Sequence, residues 1–255
     1  MGFNAKDRKG GGDFVPIEAL EAGNYPARLV QLVNMGIQPQ RPYKGVEKKP
    51  AEQLYVAYEL SHEFMVDENG EPDASKPRWI GEDFTFNGLG AKQAKSTERY
   101  HAFDPTEACE GDWERLLGSA CTVTLSKVPR KTEGFTNYVT HVSGPSKFPG
   151  YTQPELVNPV RIFDLENPDL EVFKELPEWL RTKVATNLEM KGSKLEAMLT
   201  EAGLMPEAAP AAPTTPAPIA PAAPAPAMAP PAPVAPPKAP PAPPVPPAPA
   251  AENAA

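Results

Sequence analysis

Apolar and polar residues alternate most clearly at two places in the chain. In Ala120–Ser126, Cys121, Val123 and Leu125 fall on one side of an extended strand and Thr122 and Thr124 on the other. In Leu54–Phe64, Leu54, Val56, Tyr58 and Leu60 point to a core, while Tyr55, Ala57 and Glu59 turn outward. Three further runs read as strands. Tyr25–Ile37 is rich in apolar and β-branched residues but alternates imperfectly. Arg78–Phe86 would bury Ile80, Phe84 and Phe86 and turn Trp79 outward beside Gly81, and Phe135–Val142 closes at Ser143-Gly144-Pro145. Asn69-Gly70 marks a hairpin between the second and third strands.

The pattern changes to helical spacing in two regions. Ala91–Tyr100 is helical or loop-like, and Asp112 can cap a single turn ending at Leu117. Beyond an extended, proline-punctuated arm over Tyr151–Leu165, Asn167-Pro168-Asp169 starts a helix with Leu170, Phe173 and Leu176 on one face. A second helix begins near Pro177, with Trp179, Leu180, Val184 and Leu188 at helical spacing. Ser193 and Glu196 form a capping box for a third, ending near Gly203. These helices either pack on the strands or serve self-association, and spacing alone does not choose.

Composition then divides the 255 residues. From Pro206 onward nearly every residue is Ala or Pro, and such a segment buries too little surface to offset its ordering entropy. A disordered lead is expected over 1–13, a barrel over 14–150, the arm and short helices over 151–205, and a disordered spacer over 206–255. No apolar stretch reaches transmembrane length and no secretory leader is evident, so a cytoplasmic location with reduced Cys109 and Cys121 is expected.

Net charge is −8, and residues 1–150 hold 18 Lys and Arg against 21 Asp and Glu, which argues against a uniformly basic binder. Placement matters more, because phosphates sense cations within about 10 Å at 0.1 M salt. Cations cluster at Arg41/Lys44/Lys48/Lys49, Lys76/Arg78, Lys92/Lys95/Arg99 and Lys127/Arg130/Lys131. The loop from Gln38 to Pro50 carries three prolines, four cations and Tyr43 between the first two strands, a composition suited to a polyanion with stackable bases.

Five strands, a long loop after the first and a basic turn before the last imply a mainly β fold. The specific expectation is a five-stranded OB-like barrel with a C-terminal helical appendage and a disordered Ala/Pro-rich tail. Tyr55 and Trp79 would form a base-stacking platform on the outer face of neighbouring strands. Arg41, Tyr43, Lys44, Lys48 and Lys49 would contact the strand from the loop, with Arg78, Lys92, Lys95, Arg99, Tyr100, Arg130 and Lys131 as further contacts. Their plain alternative is a solvated charged surface with rings packed under the C-terminal helices.

Enzymatic signals are weak. His62, His101 and His141 are scattered, neither cysteine has a metal-ligand partner at usable spacing, and Gly88-Leu89-Gly90-Ala91-Lys92 lacks the ending of a phosphate loop. No catalytic residue, metal or cofactor is expected.

Several strings resemble single-stranded-DNA-binding proteins of tailed bacteriophages: Asn24-Tyr25-Pro26-Ala27-Arg28, Gln40-Arg41-Pro42-Tyr43-Lys44-Gly45, Lys76-Pro77-Arg78-Trp79-Ile80 and Lys95-Ser96-Thr97. Pro154-Glu155-Leu156-Val157-Asn158 and Leu176-Pro177-Glu178-Trp179-Leu180 are similar too, so the resemblance spans roughly residues 14–192. It implies an OB-fold that coats DNA exposed during phage replication, recombination and repair in the host cytoplasm. Partners would be single-stranded DNA and replication or recombination proteins of phage or host. The chain departs from bacterial relatives of this function at its last residues, Ala251-Glu252-Asn253-Ala254-Ala255, which lack an acidic tip closing on phenylalanine. Rival readings are a virion or assembly protein making protein contacts and a mediator that anneals strands.

Overall fold

The structure, a computed structural model, describes residues 18–131 and 133–205. The expected lead over 1–13 and the Ala/Pro tail over 206–255 lie outside the described residues. The fold is mainly β. Strands β1 (Gly23–Gln38), β2 (Ala51–Val66), β3 (Pro72–Thr85), β4 (Ala120–Pro129) and β5 (Phe135–Ser143) form one antiparallel sheet in the order β3-β2-β1-β4-β5. All five expected strands are present. A sixth, β6 (Arg161–Phe163), lies within the proline-punctuated arm and pairs parallel with β1 at Gln31–Val33.

β1 is the axis of the sheet. Its first half pairs with β4 (Gly23↔Leu125 to Arg28↔Ala120) and its second with β2 (Ala27↔Leu60 to Gln38↔Ala51). The imperfect alternation of β1 has two causes. An extra residue, Val30, bulges between Leu29 and Gln31, shifting register. Both faces of β1 are also covered: Ala27, Leu29 and Leu32 join the core between the strands, while Val33 and Met35 join a second core under the C-terminal helices. A second irregularity at Asn34/Ile37 contains Gly36, whose positive φ of 69° a side chain would strain.

The closed barrel expected from the sequence is not found, since no backbone ladder joins β3 to β5 among the described residues. Helix α1 (Lys95–Phe103) stands at that gap instead. From it the Arg99 guanidinium donates to Glu82 of β3 at 2.8 Å and to the Thr140 carbonyl of β5 at 3.3 Å. A 3-10 turn at Glu114–Leu116 follows, with Asp112 accepting from the Glu114 N–H at 2.9 Å as the capping pattern predicts. Trp113, 6% exposed, fills the core beside Phe84 and Tyr100.

Helices α2 (Leu170–Glu175), α3 (Glu178–Ala185) and α4 (Lys194–Glu201) begin at Asp169, Pro177 and Ser193, near the signals in the sequence. Asp169 accepts from the Glu171 N–H and Ser193 from the Glu196 N–H. Leu180, Val184, Leu195 and Leu199 are fully buried with Val33, Met35 and Phe163. At about 1.5–3 kcal/mol each, those four side chains favour the docked arrangement by roughly 6–12 kcal/mol before ordering entropy. The helices are therefore packed onto the sheet.

Candidate nucleic-acid interface

The register of β2 with β3 sets the geometry of the outer face. Tyr55 pairs with Asp83, Ala57 with Gly81 and Glu59 with Trp79, so these six share one side, as alternation requires. The arm then crosses that side. Glu59 is buried, and its carboxylate accepts the Val157 N–H at 2.7 Å, the Asn158 side-chain amide at 2.7 Å and the Trp79 indole N–H at 3.2 Å. Arg28 and Gln153 tie the start of the arm to β1, Gln153 donating to the Ala27 carbonyl at 2.6 Å.

Tyr55 and Trp79 consequently have different fates. The Tyr55 ring lies against Gly81, where any Cβ would overlap it, and Trp179 of α3 meets it edge-on with centroids 5.3 Å apart. Burial, with Asp83 adding to it, pushes the Tyr55 phenol up to about 12. The shared platform is therefore not formed: Tyr55 packs under the helices and offers no face to a base. Trp79 remains open on one side and lines a groove of about 600 Å³. Arg161, from the start of β6, stands over its ring at 5.5 Å and pairs with Glu175 at 3.1 Å.

This groove occupies the stretch where β3 and β5 run without a ladder between them. Lys76, Arg78, Trp79 and Ile80 line one wall, Arg130, Phe135 and Asn137 the other, with Asn158 and Arg161 from the arm across one end. Four cations face it and no carboxylate among the described lining residues does. Two basic clusters distant in sequence, Lys76/Arg78 and Arg130, thus meet in space. Phe135 is 51% exposed and carries Lys127 over its ring at 5.1 Å. Lys131 is exposed in the same β4–β5 turn.

The remaining candidates are placed elsewhere. The β1–β2 loop departs at Gln38 and returns at Ala51, whereas the β4–β5 turn lies beyond the pair Gly23↔Leu125, so the two loops sit at opposite ends of β1. A single trough holding both is not formed. Within the β1–β2 loop is a tight hairpin rather than a wholly irregular connection. Tyr43 and Val46 exchange backbone hydrogen bonds at 2.9 and 3.0 Å across Lys44 (φ 50°) and Gly45 (φ 78°). Tyr43 is 60% exposed, with the ammonium groups of Lys44 and Lys48 5.3 and 5.2 Å from its ring centre. Arg41 and Lys49 are exposed beside it.

Lys92 is exposed in the turn before α1. Lys95 is half-exposed and bound to Glu82 at 2.6 Å. Arg99 and Tyr100 are corrected outright: both are buried, Arg99 on Glu82 and Tyr100 in the aromatic core with its hydroxyl on Asp104. Neither can reach a bound strand. Phe135, Asn137, Asn158 and Arg161 are among the groove residues not singled out from sequence. The apolar, β-prone pair Ile162-Phe163 after Arg161 is the local signal that a short strand interrupts the arm.

Among the described residues, no group of three or more His, Cys, Asp or Glu side chains is placed to hold a metal, and no helix is long and apolar enough to cross a membrane. Comparison with known proteins finds no matching family model, no matching curated protein and no matching solved structure.

Proposed function

We propose that the chain binds and protects single-stranded DNA without sequence preference, during the replication, recombination or repair of a phage genome, and that the groove between β3 and β5 is its principal contact. The observation that carries this reading is charge placement. A chain of net charge −8 lines one groove with four cations and sets Trp79 and Phe135 in it. Of the four, Lys76 and Arg161 are paired with Asp73 and Glu175, while Arg78 and Arg130 have no ion-pair partner among the described residues. Cations hold phosphates wherever they lie along a backbone, and rings stack on any base, so the pair of features suits sequence-independent binding. Base faces are accessible in a single strand and hidden in a duplex.

The strand order adds support. β1 pairing with both β2 and β4, β3 and β5 at the two ends, and a helix following β3 suit an OB-type barrel that is partly open along one seam. The resemblance of Lys76-Pro77-Arg78-Trp79-Ile80 to phage single-stranded-DNA-binding proteins falls on one wall of the groove.

The test is fluorescence anisotropy of a labelled oligonucleotide, single-stranded and then duplex, across a salt series. Single-strand binding is expected to dominate, with a slope of log K on log salt near about −2 to −3 if the four cations each meet a phosphate. Equal affinity for duplex, or affinity indifferent to salt, overturns the reading in favour of a protein-contact role.

A further inference from the structure

Resting on that reading, we propose that Trp179 of α3 is a second base-stacking site, placed between the groove and the β1–β2 hairpin so that one strand meets three ring–cation pairs in series. Its ring meets Tyr55, which lies four residues along β2 from Glu59, the partner of Trp79. Another four residues lead from Tyr55 to Ala51, where the hairpin carrying Tyr43 rejoins the strand. Each ring has a cation over it: Arg161 on Trp79, Lys183 on Trp179 at 6.0 Å, and Lys44 and Lys48 on Tyr43.

The spacing suits a nucleic-acid strand. Four residues of β-strand cover about 13 Å, or about four nucleotides at the stacked rise of ~3.4 Å. The stretch from Trp79 to the foot of the hairpin then takes about eight, inside the range of roughly 4–16 nucleotides for one OB-type module.

Packing alone does not account for Trp179. It covers Tyr55 with one edge yet remains 48% exposed, whereas Trp113, which only fills the core, is 6% exposed. The Lys183 ammonium is already met by Asp83 at 2.7 Å, so this station supplies a ring and no net charge. It should therefore contribute affinity that salt does not screen.

The chain's three tryptophans make the test clean. In a Trp79→Phe protein the groove keeps a stacking ring, and only Trp179 and the buried Trp113 emit. Thymidine oligomers of four and of sixteen nucleotides are titrated by tryptophan emission, with anisotropy reporting binding independently. The expected result is quenching by the sixteen-mer, none by the four-mer, and loss of the quenching in Trp79→Phe/Trp179→Phe. A Trp179→Leu protein with unchanged circular dichroism should bind the sixteen-mer about tenfold more weakly at an unchanged salt slope. Binding of the sixteen-mer to Trp79→Phe with no change in emission overturns the proposal and leaves the groove standing. Equal quenching by both lengths overturns the serial order. Absence of binding by the wild-type chain to either oligomer removes the groove reading and this one together.

Discussion

β3 and β5 face each other along two stretches, and the molecule treats them in opposite ways. Toward their C-terminal ends, α1 fills the space and Arg99 links Glu82 to the Thr140 carbonyl. Toward their N-terminal ends no helix stands between them. The Glu18 carbonyl accepts from Arg78 of β3, the Leu20 backbone exchanges hydrogen bonds with Asn137 of β5, and Arg78 and Arg130 line a groove. Both stretches are rich in cations. At the closed one each cation has a carboxylate: Glu82 accepts from Arg99, Lys95 and the Tyr58 hydroxyl. At the open one Lys76 and Arg161 are paired with Asp73 and Glu175, but Arg78 and Arg130 have no ion-pair partner among the described residues, although Arg78 donates to the Glu18 carbonyl at 2.6 Å. Burial with a counter-charge makes a cation part of the frame, and exposure without one leaves its charge for a ligand.

The largest effect should come from breaking the closed stretch. Arg99→Met leaves Glu82 buried with only Lys95 and the Tyr58 hydroxyl as partners, which costs up to about 3–5 kcal/mol, the value for a buried pair broken outright. A urea titration checks this, and a loss below about 1 kcal/mol would mean the seam is held by α1 packing alone. In Arg99→Met/Glu82→Met the loss should be smaller than in Arg99→Met, because no under-compensated carboxylate remains in the core.

The contrast between the two stretches was only half legible in the sequence. Strand alternation gave all five main strands, and capping residues gave the helix starts, because those signals are local. The role of Lys95 and Arg99 was not local, and they resembled Arg130 and Lys131 as members of a basic cluster. A signal was nevertheless present. Ile80 and Phe84 facing inward require Glu82, between them at the strand period, to face inward too. A carboxylate in a core requires a cation, and Lys95 and Arg99 lie four apart on one helix face. Tyr55 illustrates the complementary failure. Alternation places it on the outward side, but an outward side is solvent only if nothing later in the chain covers it, and α3 does.

The intermediate effect belongs to the ring in the open stretch. Trp79→Ala should weaken single-strand binding by about 1–3 kcal/mol, the usual worth of one stacked base. Stability should fall by less than for Arg99→Met, since Trp79 is open on one side and Glu59 keeps its donors from Val157 and Asn158. Equilibrium binding and urea unfolding on the same protein separate the two quantities. Unchanged affinity in a folded Trp79→Ala protein would show that the ring is ornamental to binding.

The smallest effect per residue, and the sharpest contrast with Arg99, is expected from Arg130→Gln and Arg78→Gln. Each removes an arginine that forms no ion pair among the described residues, so no buried charge is orphaned and stability should change by no more than about 0.5 kcal/mol. What should change is the dependence of binding on salt. Losing one phosphate contact to a single strand lowers the steepness of log K against log salt by about 0.7, and the double variant should lose about twice that if the two arginines hold separate phosphates. Arg99→Met, measured where it is still folded, should leave the slope alone, because its guanidinium is spent on Glu82 and Thr140 and never meets a phosphate. If the slope instead falls for Arg99→Met and stays fixed for Arg78→Gln/Arg130→Gln, the roles assigned to the two stretches are reversed.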